Sequence, residues 1–220
     1  MREARVFHPE GLVFRGAVDV HPGPYARAAR RLGPHVLARL SPALWRGGVE
    51  HLDVLGIALR FHAGEAPTAR PIAGDQDLLF ATIRSPLTML LSPLFTNAHD
   101  YLANTYWAVA PFELDGIDHR VELRLVPEDP PAGHGSRAER IVAAVRGGNA
   151  VFSLQARRTL HWKQHVIATI TLDEPLAFDQ AALRFDPFAI GAGFRPVGLV
   201  HAIRHAAYAA SQRVRPVTEE

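Results

Sequence analysis

The chain has 220 residues, 48% hydrophobic and 21% charged, enough to bury one good core and ordinary for a single closed β domain spanning 1–220. Basic and acidic residues nearly cancel, at +2 with histidine neutral, so despite a sequence pI of about 9.4 no extended cationic field exists to hold nucleic acid. Cysteine is absent, which excludes disulfides, thiolate-held zinc and iron–sulfur clusters, and leaves nitrogen and oxygen as metal donors.

The opening MREARVFHPEG has no apolar core of a signal peptide, and no run approaches the roughly 20 apolar residues that span a bilayer. A cytoplasmic protein with no membrane partner is the expectation. Residues 5–8 read as a strand, Pro9-Glu10-Gly11 as a tight corner, and 12–20 as a second strand in which Leu12, Phe14, Gly16, Val18 and Val20 alternate with Val13, Arg15, Ala17 and Asp19. The stretch 24–33 predicts a short basic helix or loop. Residues 36–41 (VLARLS) and 54–62 (VLGIALRFH) read as apolar strands, 64–74 as a loop and 77–83 (DLLFATI) as another strand.

Paired prolines and leucines over 86–104 suggest short helical turns before YWAVAPF. In HRVELRLVP (119–127) Val121, Leu123 and Leu125 alternate with charged positions, as in a half-exposed strand. After a break at 130–135, Ser136 and Glu139 form a capping box ahead of IVAAV, and Gly147-Gly148 closes that helix. Strands are expected near 150–158 and at 165–172, and the alanine-rich stretch 197–215 is the longest helix candidate. Many strands followed by a terminal helix predict an α+β protein built on an antiparallel β-barrel or sandwich with flanking helices.

On the last helix Arg204, Tyr208, Ser211 and Arg215 fall at i, i+4, i+7 and i+11 and share one face. Such a stripe is either a solvated face or a phenolate one turn from a guanidinium, whose charge lowers the tyrosine pKa and makes the oxygen a metal ligand. His161/His165 and His201/His205 each have helical i, i+4 spacing, which allows a zinc-hydrolase reading. With twelve histidines such pairs arise by chance, and neither carries the glutamate of an H-E-x-x-H motif.

The two ends together resemble the catalase superfamily, in particular its short peroxidase-like and allene-oxide-synthase-like members. Arg5-Val6-Phe7-His8-Pro9-Glu10-Gly11 followed by Gly16 resembles the family's R-x-x-H-x-x-G-x-x-x-x-G strand. VLARLS is similar to its V-R-F-S strand, with Leu40 in place of phenylalanine, and Gly56-Ile-Ala-Leu-Arg-Phe61 resembles its G-F-A-x-K-F strand. Arg195-Pro196-x-Gly198 leading to Arg204, Tyr208 and Arg215 resembles the proximal helix.

The resemblance implies a catalase-like closed barrel with a C-terminal proximal helix, binding one b-type haem through Tyr208. It implies His8 as distal base, Arg204 hydrogen-bonded to the phenolate, and Arg5, Arg39 and Arg215 on propionates, with Ser211 on the same helix face. The family's distal asparagine run is replaced here by Ala81-Thr82-Ile83-Arg84-Ser85-Pro86, which makes Thr82 the candidate hydroxyl donor and Asn97 or Asn104 weaker substitutes. The long amino-terminal arm, the carboxy-terminal helical domain and a nucleotide site of full catalases are not expected. Peroxidase or peroxygenase chemistry on peroxide and a small organic substrate is therefore expected, with weak dismutation at most. Hydroperoxide isomerisation and haem storage, transfer or sensing without turnover are the alternatives. Phe7, Phe14, Phe80 and Phe95 are either pocket lining or core. A homodimer or larger homo-oligomer is expected by resemblance.

Overall fold

Alternating apolar side chains give each strand one face that must be buried against a common interior. The computed structural model describes residues 11–198 apart from 46, 47, 49, 65, 109, 130–132 and 181. The first strand, β1 (Leu12–Val20), pairs antiparallel with β2 (His35–Pro42), which pairs with β3 (Leu55–His62) and then β4 (Gln76–Ala81). A short helix α1 (Ala26–Ala29) with a following 3-10 turn joins β1 to β2.

Beyond β4 a 3-10 turn, the one-turn helix α2 (Ser92–Phe95) and a second 3-10 turn lead to β5 (Tyr106–Ala108) and β6 (Phe112–Leu114). Both lie along one edge of β7 (Val121–Pro127). The helix α3 (Arg137–Arg146) has the expected Ser136/Glu139 capping box and ends at Gly147. Strands β8 (Val151–Arg158) and β9 (Gln164–Leu176) follow; β9 pairs with β1, and β8 with the free edge of β7. The result is a closed eight-stranded antiparallel barrel, the α+β architecture expected. The interior is filled by Phe14, Val36, Ala38, Leu59, Phe61, Leu78, Leu123, Leu154 and Ile170, all essentially buried. The candidate C-terminal helix lies outside the described residues.

Residues 177–198 form a strap that sequence periodicity does not announce. Leu183 packs on Val13 and Leu37 of the barrel's outer face. Further on, the guanidinium of Arg60 clamps Asp77 through two bonds of 2.8 and 2.7 Å, and both side chains are fully buried. Arg60 also donates to the carbonyls of Thr68 and Arg184 and stacks 4.9 Å from the centre of Phe185, while the Asp186 amide donates to Asp77 at 2.7 Å. Burial pushes the Asp77 carboxyl up, and Arg60 pulls it back.

The strap ends as β10 (Phe194–Pro196), paired with β6. The Gln76 side chain there behaves like a strand: its amide donates to the Phe194 carbonyl and accepts from the Phe194 amide, each at 3.1 Å. Among the described residues no helix is long and apolar enough to cross a membrane.

Candidate functional site

Ala38 and Leu40 of β2 enter the core, so Leu37, Arg39 and Ser41 face outward by alternation. Arg39 is nevertheless only 5% exposed, because the strap covers it. Its Nε donates to Gln180 Oε1 at 2.9 Å and its Nη1 to Ser41 Oγ at 3.2 Å. Gly11 crosses directly over the guanidinium, where a Cβ would stand 2.7 Å from Arg39 Cζ and Nε. A larger residue at 11 would have to push the guanidinium aside.

The chain that carries Arg5 and His8 thus leaves from the surface of Arg39. Arg5 and His8 themselves, with Arg204, Tyr208, Ser211 and Arg215, lie outside the described residues. At the other end, Val197 donates to the Pro111 carbonyl at 2.8 Å, so residue 198 leaves beside the link between β5 and β6.

Ser41, Gly56 and Ala81 stand in register across β2, β3 and β4 on the face that bears Arg39. Thr82, one residue on, lies at the barrel mouth. Its Oγ1 accepts from the Leu55 amide at 3.1 Å and lies 2.7 Å from Thr96 Oγ1, which is itself 2.9 Å from the Ser92 carbonyl. A hydroxyl has one proton, so the consistent chain runs from Leu55 N–H to Thr82, from Thr82 O–H to Thr96, and from Thr96 O–H to Ser92. Thr82 therefore stitches the mouth, and its proton is engaged by Thr96.

Neither asparagine turns toward this face. Asn104 Oδ1 accepts from the Asn97 amide at 2.8 Å and its Nδ2 donates to the carbonyls of Asn97 and Asp100, while Asn97 Oδ1 accepts from the His99 amide. Phe14 and Phe80 are core residues, and Phe95 is 84% exposed rather than folded over a pocket.

Sequence reasoning missed Asp53, Gln180 and Ser41. Asp53 is fully buried at the mouth: Oδ1 accepts from the amides of Ala43, Leu44 and Val54, and Oδ2 has no hydrogen-bond partner among the described residues. An aspartate ahead of an apolar strand is a turn signal that would have found it. Gln180 carries no such signal.

Burial raises the hydroxyl pKa of three of the chain's four tyrosines: Tyr25, Tyr106 and Tyr101, the last pushed up to about 12 against the pull of Arg137 and Arg39. These three stay phenols. His161 lies in the β8–β9 turn and the His165 ring meets Tyr25 edge-on, 5.7 Å between centres; no group of three metal-ligating side chains occurs among the described residues.

For a haem, the described half of the site supplies a buried guanidinium between Gly11 and Gln180, a donor set that fits a carboxylate at the edge of the group. The proposed axial half falls beyond residue 198.

No family model matches the chain, and no curated protein matches it by sequence. Solved structures do match. Catalase A from Saccharomyces cerevisiae has a TM-score of 0.65 at 15% identity, over 98% of this chain and 62% of that one. A fungal catalase has 0.65 at 13%, over 98% and 59%, and a bacterial catalase 0.64 at 14%, over 100% and 61%. The chain has a catalase-like fold, and it spans about three-fifths of the length of the catalases it matches.

Proposed function

We propose that this chain is a haem-dependent oxidoreductase acting with hydrogen peroxide or organic hydroperoxides, peroxidase- or peroxygenase-like rather than an efficient dismutase. The observation that carries the reading is Arg39: in a catalase-like barrel, the arginine expected at a propionate is buried on the outer face, with the chain from His8 crossing it at Gly11. The phenol state of Tyr25, Tyr101 and Tyr106 leaves Tyr208 as the one tyrosine to act as a phenolate, with Arg204 one turn away lowering its pKa.

Tyr208 would hold the iron of the haem, and Arg39, Arg5 and Arg215 its carboxylates, with Ser211 on the same helix face. The bound haem supplies an iron centre that exchanges electrons with peroxide. His8 would accept the proton of the incoming hydroperoxide at a ring nitrogen and return it to the departing oxygen. Thr82 serves by fixing the 92–96 turn beside the mouth rather than by donating to peroxide, since its proton goes to Thr96. With Ala81 beside Gly56 and Ser41 in the outward row, β4 offers no polar side chain at that position to orient a second peroxide, which favours peroxidase chemistry over dismutation.

The test is His8→Ala in hemin-loaded protein. The proposal expects haem to stay bound and the reaction with peroxide to slow by about 10²–10⁴-fold, the usual worth of a positioned acid–base group. An unchanged rate would overturn the role of His8, and absence of any peroxide reaction in the parent protein would favour haem binding without turnover.

A further inference from the structure

We propose that His35 and His62 form a site for a divalent metal of the zinc type on the outer face of the β2–β3 ladder, separate from the Arg39 site. The two histidines are direct cross-strand partners in the register, and their rings stand 5.8 Å apart, centre to centre, inclined by 31°. Two imidazoles sharing one zinc at about 2.0–2.1 Å have ring centres roughly 5–6.4 Å apart, depending on the angle at the metal.

The backbone fixes the tautomer of His62. His62 Nδ1 lies 2.7 Å from the Gly64 carbonyl oxygen, which can only accept, so Nδ1 carries the proton and Nε2 carries a lone pair. That Nε2 is buried and has no hydrogen-bond partner among the described residues, in a side chain that is only 5% exposed. A ring nitrogen oriented by a backbone carbonyl through its opposite nitrogen is how proteins present imidazole to a metal. An acceptor left dry in this way is destabilising unless something occupies it.

The surroundings are compatible with a cation. Arg60 is two residues away on the same face, but it is clamped by Asp77, and Asp75 Oδ2 lies 3.9 Å from its Nε, so the trio has one formal negative charge in excess. Desolvation, the largest effect, lowers the His62 pKa; His35 and Arg60 lower it further, while the Gly64 carbonyl and Asp75 raise it. The ring is thus neutral, as a ligand must be. His35 is partly exposed and gives the ion its way in. No third ligating side chain is grouped with the pair among the described residues, so water completes the coordination.

The experiment is calorimetric titration of chelator-treated, full-length protein with Zn2+ alone, comparing the parent with His62→Ala, His35→Gln and the control His161→Ala. The proposal expects one zinc per chain whose affinity falls tenfold or more in each of the first two variants and is unchanged in the control. His35→Gln alters a partly exposed residue, so a fold defect in His62→Ala, read by circular dichroism, leaves the test standing. Zinc binding that survives His35→Gln, or no zinc binding in the parent, overturns the site.

Discussion

Replacing Asp77 with asparagine removes one charge from a clamp that holds the strap to the barrel. Asp77 accepts from Arg60 twice and from the Asp186 amide once, and both ionic partners are completely buried. Asparagine keeps the shape but leaves the guanidinium with only the more distant Asp75, 3.9 Å from its Nε, as a counter-charge and with one donor facing an NH2 group. Removing one partner of a buried pair costs about 3–5 kcal/mol, because the remaining charge stays desolvated. For a chain of this size each kcal/mol is worth about 2–4 °C, so Tm should fall by about 6–20 °C. Thermal unfolding followed by circular dichroism measures it. Hydrogen exchange should show the loss concentrated at 183–188, where Arg60 holds the Arg184 carbonyl and Phe185. The double variant Arg60→Met, Asp77→Leu should recover only part of the loss, since it removes both charges of the clamp but leaves Asp75 without its cation and takes partners from the Thr68 and Arg184 carbonyls and the Asp186 amide. A change in Tm under about 2 °C for Asp77→Asn would refute the reasoning.

Two further outcomes follow from the same coordinates. Gln76→Leu strands the buried amide and carbonyl of Phe194, at about 1–3 kcal/mol for each unpaired group, and should detach β10 from the barrel, read as faster exchange at Phe194 and weaker hemin binding. His62 has a folded-state pKa below its unfolded value near 6.5, so its contribution to stability is complete above that value and is lost as pH falls toward the folded one. Denaturant titrations with chelator present should therefore show a steeper loss as the pH falls below about 6.5 in the parent than in His62→Gln, and equal slopes would refute that assignment.

The strands were readable because one face of each is buried: Phe14 and Val18 in β1, and Val121, Leu123 and Leu125 in β7, fall where period-two alternation puts them. The runs at 36–41 and 54–62 read as continuous apolar strands for a different reason. Their outer faces are covered by the strap, which buries even Arg39 and Arg60. That cover was illegible, because 177–198 has no period of its own and is held by single side chains such as Gln76, Gln180 and Asp77 acting at long sequence separation. β9 runs to Leu176, past the expected 172, because it continues along β1 through a register shift at Arg15/Gly16 to reach Val13. Of the site, sequence resemblance singled out Arg39, whose cover by the strap it could not give, and it could not foresee that Thr82 would spend its proton on Thr96, a contact made across 14 residues of irregular chain.

The most direct test of the account is the absorption spectrum of the purified protein, from 300 to 700 nm, titrated with hemin alongside Tyr208→Phe. The account predicts a sharp Soret band saturating at one haem per chain with tyrosinate-type visible bands, both lost or replaced in the variant. A parent that takes up no haem specifically, or a Tyr208→Phe spectrum identical to the parent's, would contradict it.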